Sequence, residues 1–238
     1  MKNLATFFLF TFILSACIGT TFISGKGNIV EESIEVAEFN SVELRGAADV
    51  EISKGNDFEI LLSDYENIIQ YHRVTVENGK LIIEKEDPFV QLLNSKAKVK
   101  IVIPQTLSSI SLSGSGNIDI LTQVNAINSI NISGSGRVYA TNQNNEFGNL
   151  SAKISGSGNI ELKGTCTNLD GIITGSGKLY LSELHAQNVD CTISGSGNAY
   201  VYASSRLNAI ITGSGNIEYT GGASVNTQIT GSGRVIQR

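Results

Sequence analysis

The chain has 238 residues, which is long enough to bury one hydrophobic core of good size. Hydrophobic residues make up 41% of the sequence and only 2 residues are proline, so the composition excludes an intrinsically disordered chain. The formal charge is -5 and there is no basic run. This argues against a nucleic-acid partner, because such binding depends on neutralising phosphate groups.

The N-terminus predicts a targeting segment. Lys2 precedes an apolar run over Leu4–Leu14, which is too short to span a bilayer as a stable helix. The run ends in Leu14-Ser15-Ala16-Cys17, which resembles a bacterial lipobox, so we expect lipidation of Cys17 and a lipoprotein signal peptide over residues 1–17. An ordinary signal peptide with a chance cysteine is the alternative. The absence of Asp after Cys17 favours the outer membrane, with the leaflet left open.

The tripeptide Gly-Ser-Gly recurs through the second half of the chain. Its first glycines are 20, 22, 19, 20, 18 and 18 residues apart, and a period near twenty is typical of one supersecondary unit stacked on copies of itself. The repeated stretches are Gly114-Ser115-Gly116-Asn117, Gly134-Ser135-Gly136-Arg137, Gly156-Ser157-Gly158-Asn159, Gly175-Ser176-Gly177-Lys178, Gly195-Ser196-Gly197-Asn198, Gly213-Ser214-Gly215-Asn216 and Gly231-Ser232-Gly233-Arg234.

Apolar residues alternate with polar ones on both sides of each tripeptide. Leu112 and Ile118, for example, stand two residues before and four residues after Gly114. Alternation on both sides of a turn predicts two short strands per unit. We therefore predict an all-β fold, a single-stranded, right-handed parallel β-helix (a solenoid) with Gly-Ser-Gly-Asn corners.

Backbone geometry accounts for the composition of these corners. A sharp corner needs a positive φ, which glycine adopts without a Cβ penalty. We expect the small serine to stack inside the corner, and the Asn or Asp that follows to bond neighbouring backbone. The predicted structural turn positions are Gly114, Ser115, Gly116, Asn117, Gly156, Gly158, Asn159, Gly195, Gly197 and Asn198.

Two earlier segments carry weaker forms of the repeat. Gly25-Lys26-Gly27-Asn28-Ile29 has the form G-x-G-N-I, so residues 18–35 are expected to be a tether with a first partial coil. The β-helix domain is expected over residues 36–238, starting with a degenerate coil around Gly46. Residues 54–104 break the pattern, and we expect antiparallel strands there that cover one side or end of the solenoid.

Local sequence patterns predict separate elements within this insert. Asn78-Gly79 lies between two strand-like runs and predicts a hairpin with a type I′ turn. Asp64–Tyr71 is expected to form one or two helical turns with Asp64 as N-cap. Lys98–Pro104 alternates like a half-exposed strand that ends at the proline.

Cys166 and Cys191 are expected to lie in an oxidising compartment. They stand nine and four residues before their glycines, so they do not stack directly. We favour two small buried thiols over a disulfide, which remains the alternative.

Metal-ligating residue types are sparse. His72 and His185 have no second His or Cys at a metal-ligand spacing and are expected to be isolated surface or loop histidines. Asp170 and Asp190 share an outward column on adjacent coils, where a lysine or a calcium ion would relieve their repulsion. We predict no metal site and no cofactor.

One outward column holds the candidate ligand-binding residues. Five residues after each first glycine stands an acid or a tyrosine: Asp119, Tyr139, Glu161, Tyr180, Tyr200 and Glu218. Aromatic rings stack on sugar faces and carboxylates accept hydroxyl protons, so the column is a candidate for carbohydrate binding. The favoured interpretation is a solvated sheet face on which Tyr and Glu pair across strands. Paired carboxylates also serve glycosidases, but Asp119 and Glu161 are two coils apart, about 9–10 Å, and we predict no catalytic residue.

Three features together resemble the head GIN domain family, the auto-transporter adhesins of Bacteroidetes envelopes. They are Gly46-Ala47-Ala48-Asp49-Val50-Glu51-Ile52, the strand end Val102-Ile103-Pro104 and the Gly-Ser-Gly-Asn repeats. The resemblance covers roughly residues 36–220. It implies a pectin-lyase-like β-helix and a role in adhesion, and it implies no catalytic residue.

We therefore expect a non-enzymatic lipoprotein, anchored in the outer membrane by its lipid, that binds an unknown protein or glycan partner. Two alternatives stay open. One is a carbohydrate-active enzyme on the same scaffold. The other is a self-assembling homo-oligomer, because the end of a β-helix is an unpaired edge on which a copy can stack.

Overall fold

A computed structural model describes residues 20–104 and 106–238. Apart from one short 3-10 helix, Ile69–Tyr71, the regular structure of this part consists of β-strands. The predicted lipobox and Cys17 lie outside the described residues. Within the described ranges, no helix has the length and apolar character needed to cross a lipid bilayer.

The strands, in chain order, are β1 (Thr21–Ser24), β2 (Ile29–Ser33), β3 (Ser41–Gly46), β4 (Asp49–Lys54), β5 (Glu59–Tyr65), β6 (His72–Glu77), β7 (Lys80–Lys85), β8 (Val90–Leu93), β9 (Lys98–Ile103), β10 (Ser109–Gly114), β11 (Asn117–Ile120), β12 (Ser129–Gly134), β13 (Arg137–Ala140), β14 (Glu146–Gly156), β15 (Asn159–Leu162), β16 (Gly164–Gly175), β17 (Lys178–Gly195), β18 (Asn198–Gly213), β19 (Asn216–Thr220), β20 (Ser224–Gly231) and β21 (Arg234–Gln237).

The strands on either side of the glycine corners form two parallel ladders. Before the corners, β10, β12, β14 and β16 pair in sequence, so that Gly114, Gly134, Gly156 and Gly175 are aligned. The same register continues to Gly231. After the corners, a second ladder runs from β4 and β11 to β21. The predicted all-β, parallel solenoid is confirmed.

Apolar columns fill the interior of the stack. Ile110 and Ile130 stand before their corners, Ile118 and Val138 after theirs, and all four are fully buried. Each buried Ile or Leu contributes about 1.5–3 kcal/mol relative to exposure. Because neighbouring coils align these positions, one continuous core runs the length of the stack.

Close stacking at the corners requires both glycines of the repeat. Gly156 has a φ of 126°, a conformation that L side chains rarely adopt. Gly158 packs so tightly on the preceding coil that a Cβ would lie 2.7 Å from both the Gly136 carbonyl oxygen and Ile132 Cγ2. The first glycine is therefore required by conformation and the second by space.

The corner serines point outward, contrary to the expectation that they stack inside. Ser115 and Ser157 are exposed, whereas Gly116 and Gly158 are buried. The second glycine thus takes the inward place, because it alone leaves room for the carbonyl group of the coil beneath. The serine fills no interior space.

The coil around Gly46 lies at a boundary of the stack. β3 pairs with β7 and β10, and β4 pairs with β9 and β11. A Cβ added at Gly46 would meet nothing within 4 Å in the described part of the chain, so no corner lies beneath it, whereas the Gly114 corner stacks on its other side. This explains why Ala47 and Ala48 stand here in place of the serine and the second glycine.

The insert extends the solenoid as well as covering it. β7 and β9 run parallel to β3 and β4 and add a layer to the stack, whereas purely antiparallel strands were predicted. β6 is antiparallel to β7, and β5 is antiparallel to both β9 and β2. The hairpin at Asn78-Gly79 forms with φ values of 52° and 74°, as a type I′ turn requires.

Residues 20–35, the described part of the predicted tether, form no coil that stacks on the solenoid, contrary to the prediction. β1 pairs in parallel with β8 in a separate two-stranded sheet, and β2 pairs antiparallel with β5. Gly27 has a positive φ of 92°, but the chain after it turns to the insert instead of stacking on a coil. Most of the predicted tether is therefore part of the folded insert.

Two further predictions meet different outcomes. Asp64 does not cap a helix: it lies in β5, and the 3-10 turn that follows begins after Ile68 without a side-chain cap.

Cys166 and Cys191 are free and buried, in agreement with the thiol interpretation and against the disulfide. They lie in different columns, since Cys166 pairs with Ala186 in the register of the ladder.

Candidate functional site

The predicted ligand-binding residues form one unbroken ladder on the strands that follow the corners. Each of them pairs in register with the next, so successive side chains are spaced by about 4.8 Å along the stack. Along the stack the order is Asp119, Tyr139, Glu161, Tyr180, Tyr200 and Glu218. We call this set the acid–tyrosine ladder.

Two aromatic rings lie at the centre of the ladder. The Tyr180 and Tyr200 rings are stacked with centroids 5.4 Å apart and an interplanar angle of 3°. Tyr180 is 38% exposed. Glu161 precedes the pair and Glu218 follows it, so an aromatic surface is flanked by carboxylates on both sides.

The acids of the ladder have different electrostatic surroundings. Arg238 donates two hydrogen bonds to the Glu218 carboxylate, at 2.8 and 3.1 Å, and this holds the pKa of Glu218 below its usual range. Burial, together with the charges of Glu51 and Asp49, raises the pKa of Asp119. Asp119 therefore takes up a proton more readily than a free aspartate.

A small recess surrounds Asp119. Its volume is about 230 Å³. Arg137, on the adjacent coil, donates hydrogen bonds to the Tyr139 hydroxyl at 3.1 Å and to Asn117 Oδ1 at 3.2 Å. The residues that line the recess are Asp49, Glu51, Lys98, Asn117, Asp119, Arg137 and Tyr139. This end of the ladder offers several hydrogen-bonding groups to a hydroxylated ligand.

The corner asparagines bond to one another along part of the stack. Asn117 Nδ2 donates to Asp49 Oδ1 at 2.6 Å, and Asn216 Nδ2 donates to Asn198 Oδ1 at 3.2 Å. In the coil of Gly175, the position that follows the corner is occupied by the cationic Lys178 in place of an asparagine. These side chains join adjacent coils, which supports a structural role for the corner positions.

The outward pair Asp170 and Asp190 is neutralised by cationic side chains of the protein. The two residues pair in register, as predicted. Arg206 binds both oxygens of Asp190, at 2.8 and 3.0 Å, while Lys153 Nζ lies 3.7 Å from Asp170. No group of three or more metal-ligating side chains occurs in residues 20–104 or 106–238.

The insert holds a buried polar cluster that no sequence motif predicted. His72 was predicted to be isolated, but its Nε2 lies 2.8 Å from Oδ2 of the fully buried Asp64. Asp64 also accepts hydrogen bonds from Ser95 Oγ at 2.6 Å and from the Lys96 and Tyr65 amides at 2.8 Å. Burial opposes ionisation of Asp64, but these bonds outweigh it and hold the pKa below its usual range.

This cluster does not have the geometry of a hydrolase triad. Ser95 donates to Asp64 and not to His72, so the histidine is not placed to take the serine proton. The cluster borders a cavity of about 440 Å³ beside the Gly46 corner, which Arg45 also lines. Its bonds attach the segment after β8 to strand β5.

One feature of the sequence indicated that Asp64 is buried and has hydrogen-bond partners. Asp64 continues the inward alternation of Ile60 and Leu62, and an acid at an inward strand position needs partners. His185, in contrast, is exposed as predicted, and its ring packs against Tyr202 with centroids 4.4 Å apart.

The stacked coils and outward ladders define a repeat protein with extended, regular outer faces. The family model described as "Putative auto-transporter adhesin, head GIN domain" matches residues 38–223. The chain belongs to this head GIN domain family.

Solved structures share the fold over nearly the whole chain. A "putative lipid binding protein" from Parabacteroides distasonis is 27% identical with a TM-score of 0.77, covering 92% of this chain and 100% of that one. A "putative adhesin" from Bacteroides fragilis is 21% identical, with a TM-score of 0.79 and coverage of 91% and 100%. Another from Parabacteroides merdae is 24% identical, with a TM-score of 0.72 and coverage of 92% and 100%. No curated protein sequence matches the chain.

Proposed function

We propose that this protein is a non-enzymatic adhesin of the cell envelope that binds a glycan along the acid–tyrosine ladder. The observation that carries the proposal is the stack of Tyr180 on Tyr200, flanked in register by Glu161 and Glu218. Membership of the adhesin family supports the class of function.

The chemistry of the ladder suits a sugar chain. Tyr180 and Tyr200 cover each other's facing sides, so a pyranose packs its C–H groups against the remaining ring surface and edges, and the flanking carboxylates accept hydroxyl protons. Because the rungs repeat at about 4.8 Å, a linear glycan lying along the stack meets several of them. Many weak contacts in a row suit adhesion, in which affinity accumulates along an extended face.

The placement of Asp119 and Glu161 argues against their acting as a hydrolytic pair. A glycosidase needs two carboxyl groups that converge on one glycosidic bond, about 5–9.5 Å apart. Asp119 and Glu161 stand side by side on one sheet face, about 9–10 Å apart, with Tyr139 paired between them. Glu218, at the other end, is engaged by Arg238.

A glycan array with a soluble form starting at residue 18 tests the proposal. We expect Tyr180→Ala and Tyr200→Ala each to weaken binding about threefold to tenfold, the loss of one aromatic contact. Thr192→Ala, on an outward position before the corner, is the matched control and should bind like the parent. Equal glycan binding by all three variants would show that the acid–tyrosine ladder is not the binding site.

We further propose that lipid on Cys17 anchors the protein in the outer membrane. The lipobox resemblance of Leu14-Ser15-Ala16-Cys17 and the envelope role of adhesins support this. Mass spectrometry of the mature N-terminus is the direct measurement, with Cys17→Ser as the control. We expect acyl chains on Cys17 and release of the Cys17→Ser variant from the membrane fraction. An unmodified cysteine would contradict the anchor.

A further inference from the structure

An exposed apolar face lies on the small sheet formed by β1 and β8. Phe22, Phe89 and Leu93 are 66%, 50% and 46% exposed, which is unusual for large apolar side chains. Phe22 pairs with Gln91, and Ser24 pairs with Leu93. Paired residues of parallel strands share a face, so Phe22 and Leu93 lie on the same side of this sheet.

The opposite side of the same sheet packs on the fold. Val90 is only 7% exposed, and Leu92 is half-buried, whereas Gln91 and Leu93 are exposed. Side chains alternate along a strand, so the odd-numbered residues of β8 face away from the body. The outward set, here called the ribbon face, is Phe22, Ser24, Phe89, Gln91 and Leu93, and none of these residues is charged.

The ribbon face is also the folded surface nearest in sequence to the proposed lipid. Cys17 precedes Thr21, the first residue of β1, by four residues, which span at most about 14 Å. A lipid on Cys17 would therefore keep this sheet within reach of the bilayer surface. Lys26 and Lys96 follow the two strands and are exposed, while the exposed acids Glu86 and Asp87 precede β8 at the other end of the face.

We propose that the ribbon face docks on the surface of the phospholipid bilayer that holds the anchor. This inference rests on the lipid anchor of the proposed function. Phe and Leu side chains on an uncharged face partition into the boundary between headgroups and acyl chains. The anchor makes the second contact intramolecular, so even a few apolar side chains engage the bilayer at high effective concentration.

Docking would fix how the molecule stands on the membrane. β8 lies between β7 and β9, the two strands that add the layer next to the Gly46 coil. The ribbon face therefore belongs to the insert end of the stack. The coils that carry Tyr180 and Tyr200 stand farther from the bilayer, where the proposed glycan would reach them.

The absence of tryptophan from the sequence gives a clean test. Phe22→Trp introduces a single fluorescent reporter on the ribbon face, and Leu121→Trp is a matched control, because Leu121 is 59% exposed outside it. Both variants are prepared as lipidated protein in vesicles of phosphatidylethanolamine and phosphatidylglycerol, with and without brominated acyl chains. We expect a blue shift and at least twofold quenching by brominated lipid for Phe22→Trp and neither for Leu121→Trp. Equal behaviour of the two reporters would overturn the proposal.

A second arm separates this inference from the anchor itself. If Cys17 proves unmodified, the same two variants are mixed with the vesicles without an anchor. A blue shift confined to Phe22→Trp then supports docking although the anchor has failed, and its absence overturns docking. Adding Leu93→Ser to Phe22→Trp should reduce the shift. A blue shift that appears without vesicles and grows with protein concentration would show that the ribbon face contacts a second copy of the protein. That result would overturn the proposal of docking on the bilayer.

Discussion

His72 Nε2 lies 2.8 Å from Asp64 Oδ2, and the two side chains are only 8% and 0% exposed. Asp64 is in β5 and His72 is the first residue of β6, so the pair spans the turn between the two strands. Ser95 and the Lys96 amide bond to the same carboxylate. One buried acid thus joins three segments of the insert.

Removal of this carboxylate should destabilise the protein strongly. We expect Asp64→Ala to lower the free energy of unfolding by about 3–5 kcal/mol, because it leaves buried donors without their charged acceptor. Asp64→Asn keeps the shape and should cost about 1–3 kcal/mol. Urea denaturation measures both, with Asp57→Asn as the control at an exposed acid of the insert. A change as small as that of the control would contradict the assigned role.

The same acid predicts a dependence of stability on pH. The folded pKa of Asp64 is lowered by its hydrogen bonds, so its stabilising contribution is complete above the unfolded pKa, about 3.9. The contribution is lost as the pH falls through the folded value. The difference in Tm between the parent and Asp64→Asn should therefore be largest near neutral pH and shrink below about pH 4. A difference that stays constant down to strong acid would show that the charge is not involved.

The corner glycines make a steric prediction. A Cβ at Gly158 would lie 2.7 Å from two atoms of the preceding coil, whereas a Cβ at Gly148 would meet nothing within 4 Å. We expect Gly158→Ala to destabilise the protein by about 1–3 kcal/mol, since the packed coils must separate. Gly148→Ala should stay within about 0.5 kcal/mol. Chemical denaturation of the pair decides this, and equal values for both would refute the close-packing explanation.

The two cysteines should be unreactive in the native protein. Burial raises the pKa of the Cys166 thiol to about 11 and that of Cys191 to about 12, so almost no thiolate is present at neutral pH. A thiol reagent should label neither residue until denaturant is added, and then both. Labelling of either cysteine in the folded protein at the rate of an exposed thiol would contradict this assignment. A disulfide detected by mass spectrometry would contradict it as well.

The solenoid and the ladder were predictable because their register is local. In a parallel stack, counting residues from Gly114 and its equivalents gives the spatial neighbour directly, which is why Tyr180 and Tyr200 fall together. Counting residues did not predict that the Ser115 side chain points outward. The positive φ of the preceding glycine interrupts the inward–outward alternation on which such counting depends. It also does not say that the second glycine, Gly116, must be buried.

The insert was less predictable because its partners are distant in sequence. β7 pairs with β3 although β4, β5 and β6 lie between them in the sequence, and no repeated motif marks that pairing. His72 and Ser95 reach Asp64 from separate segments, so the cluster has no spacing that a sequence pattern could reveal. Only the inward position of an acid after Ile60 and Leu62 hinted at buried partners.

The corner at Gly46 has the Gly114 corner on one side and no corner on the other, which gives the column of corners a fixed end and an adjustable one. Each coil contacts only its two neighbours, so gene duplication of a segment near twenty residues can lengthen the stack while the insert stays unchanged. Growth is then confined to the side away from Gly46. Copy number of the repeat then sets how far the outermost coil lies from the Gly46 coil.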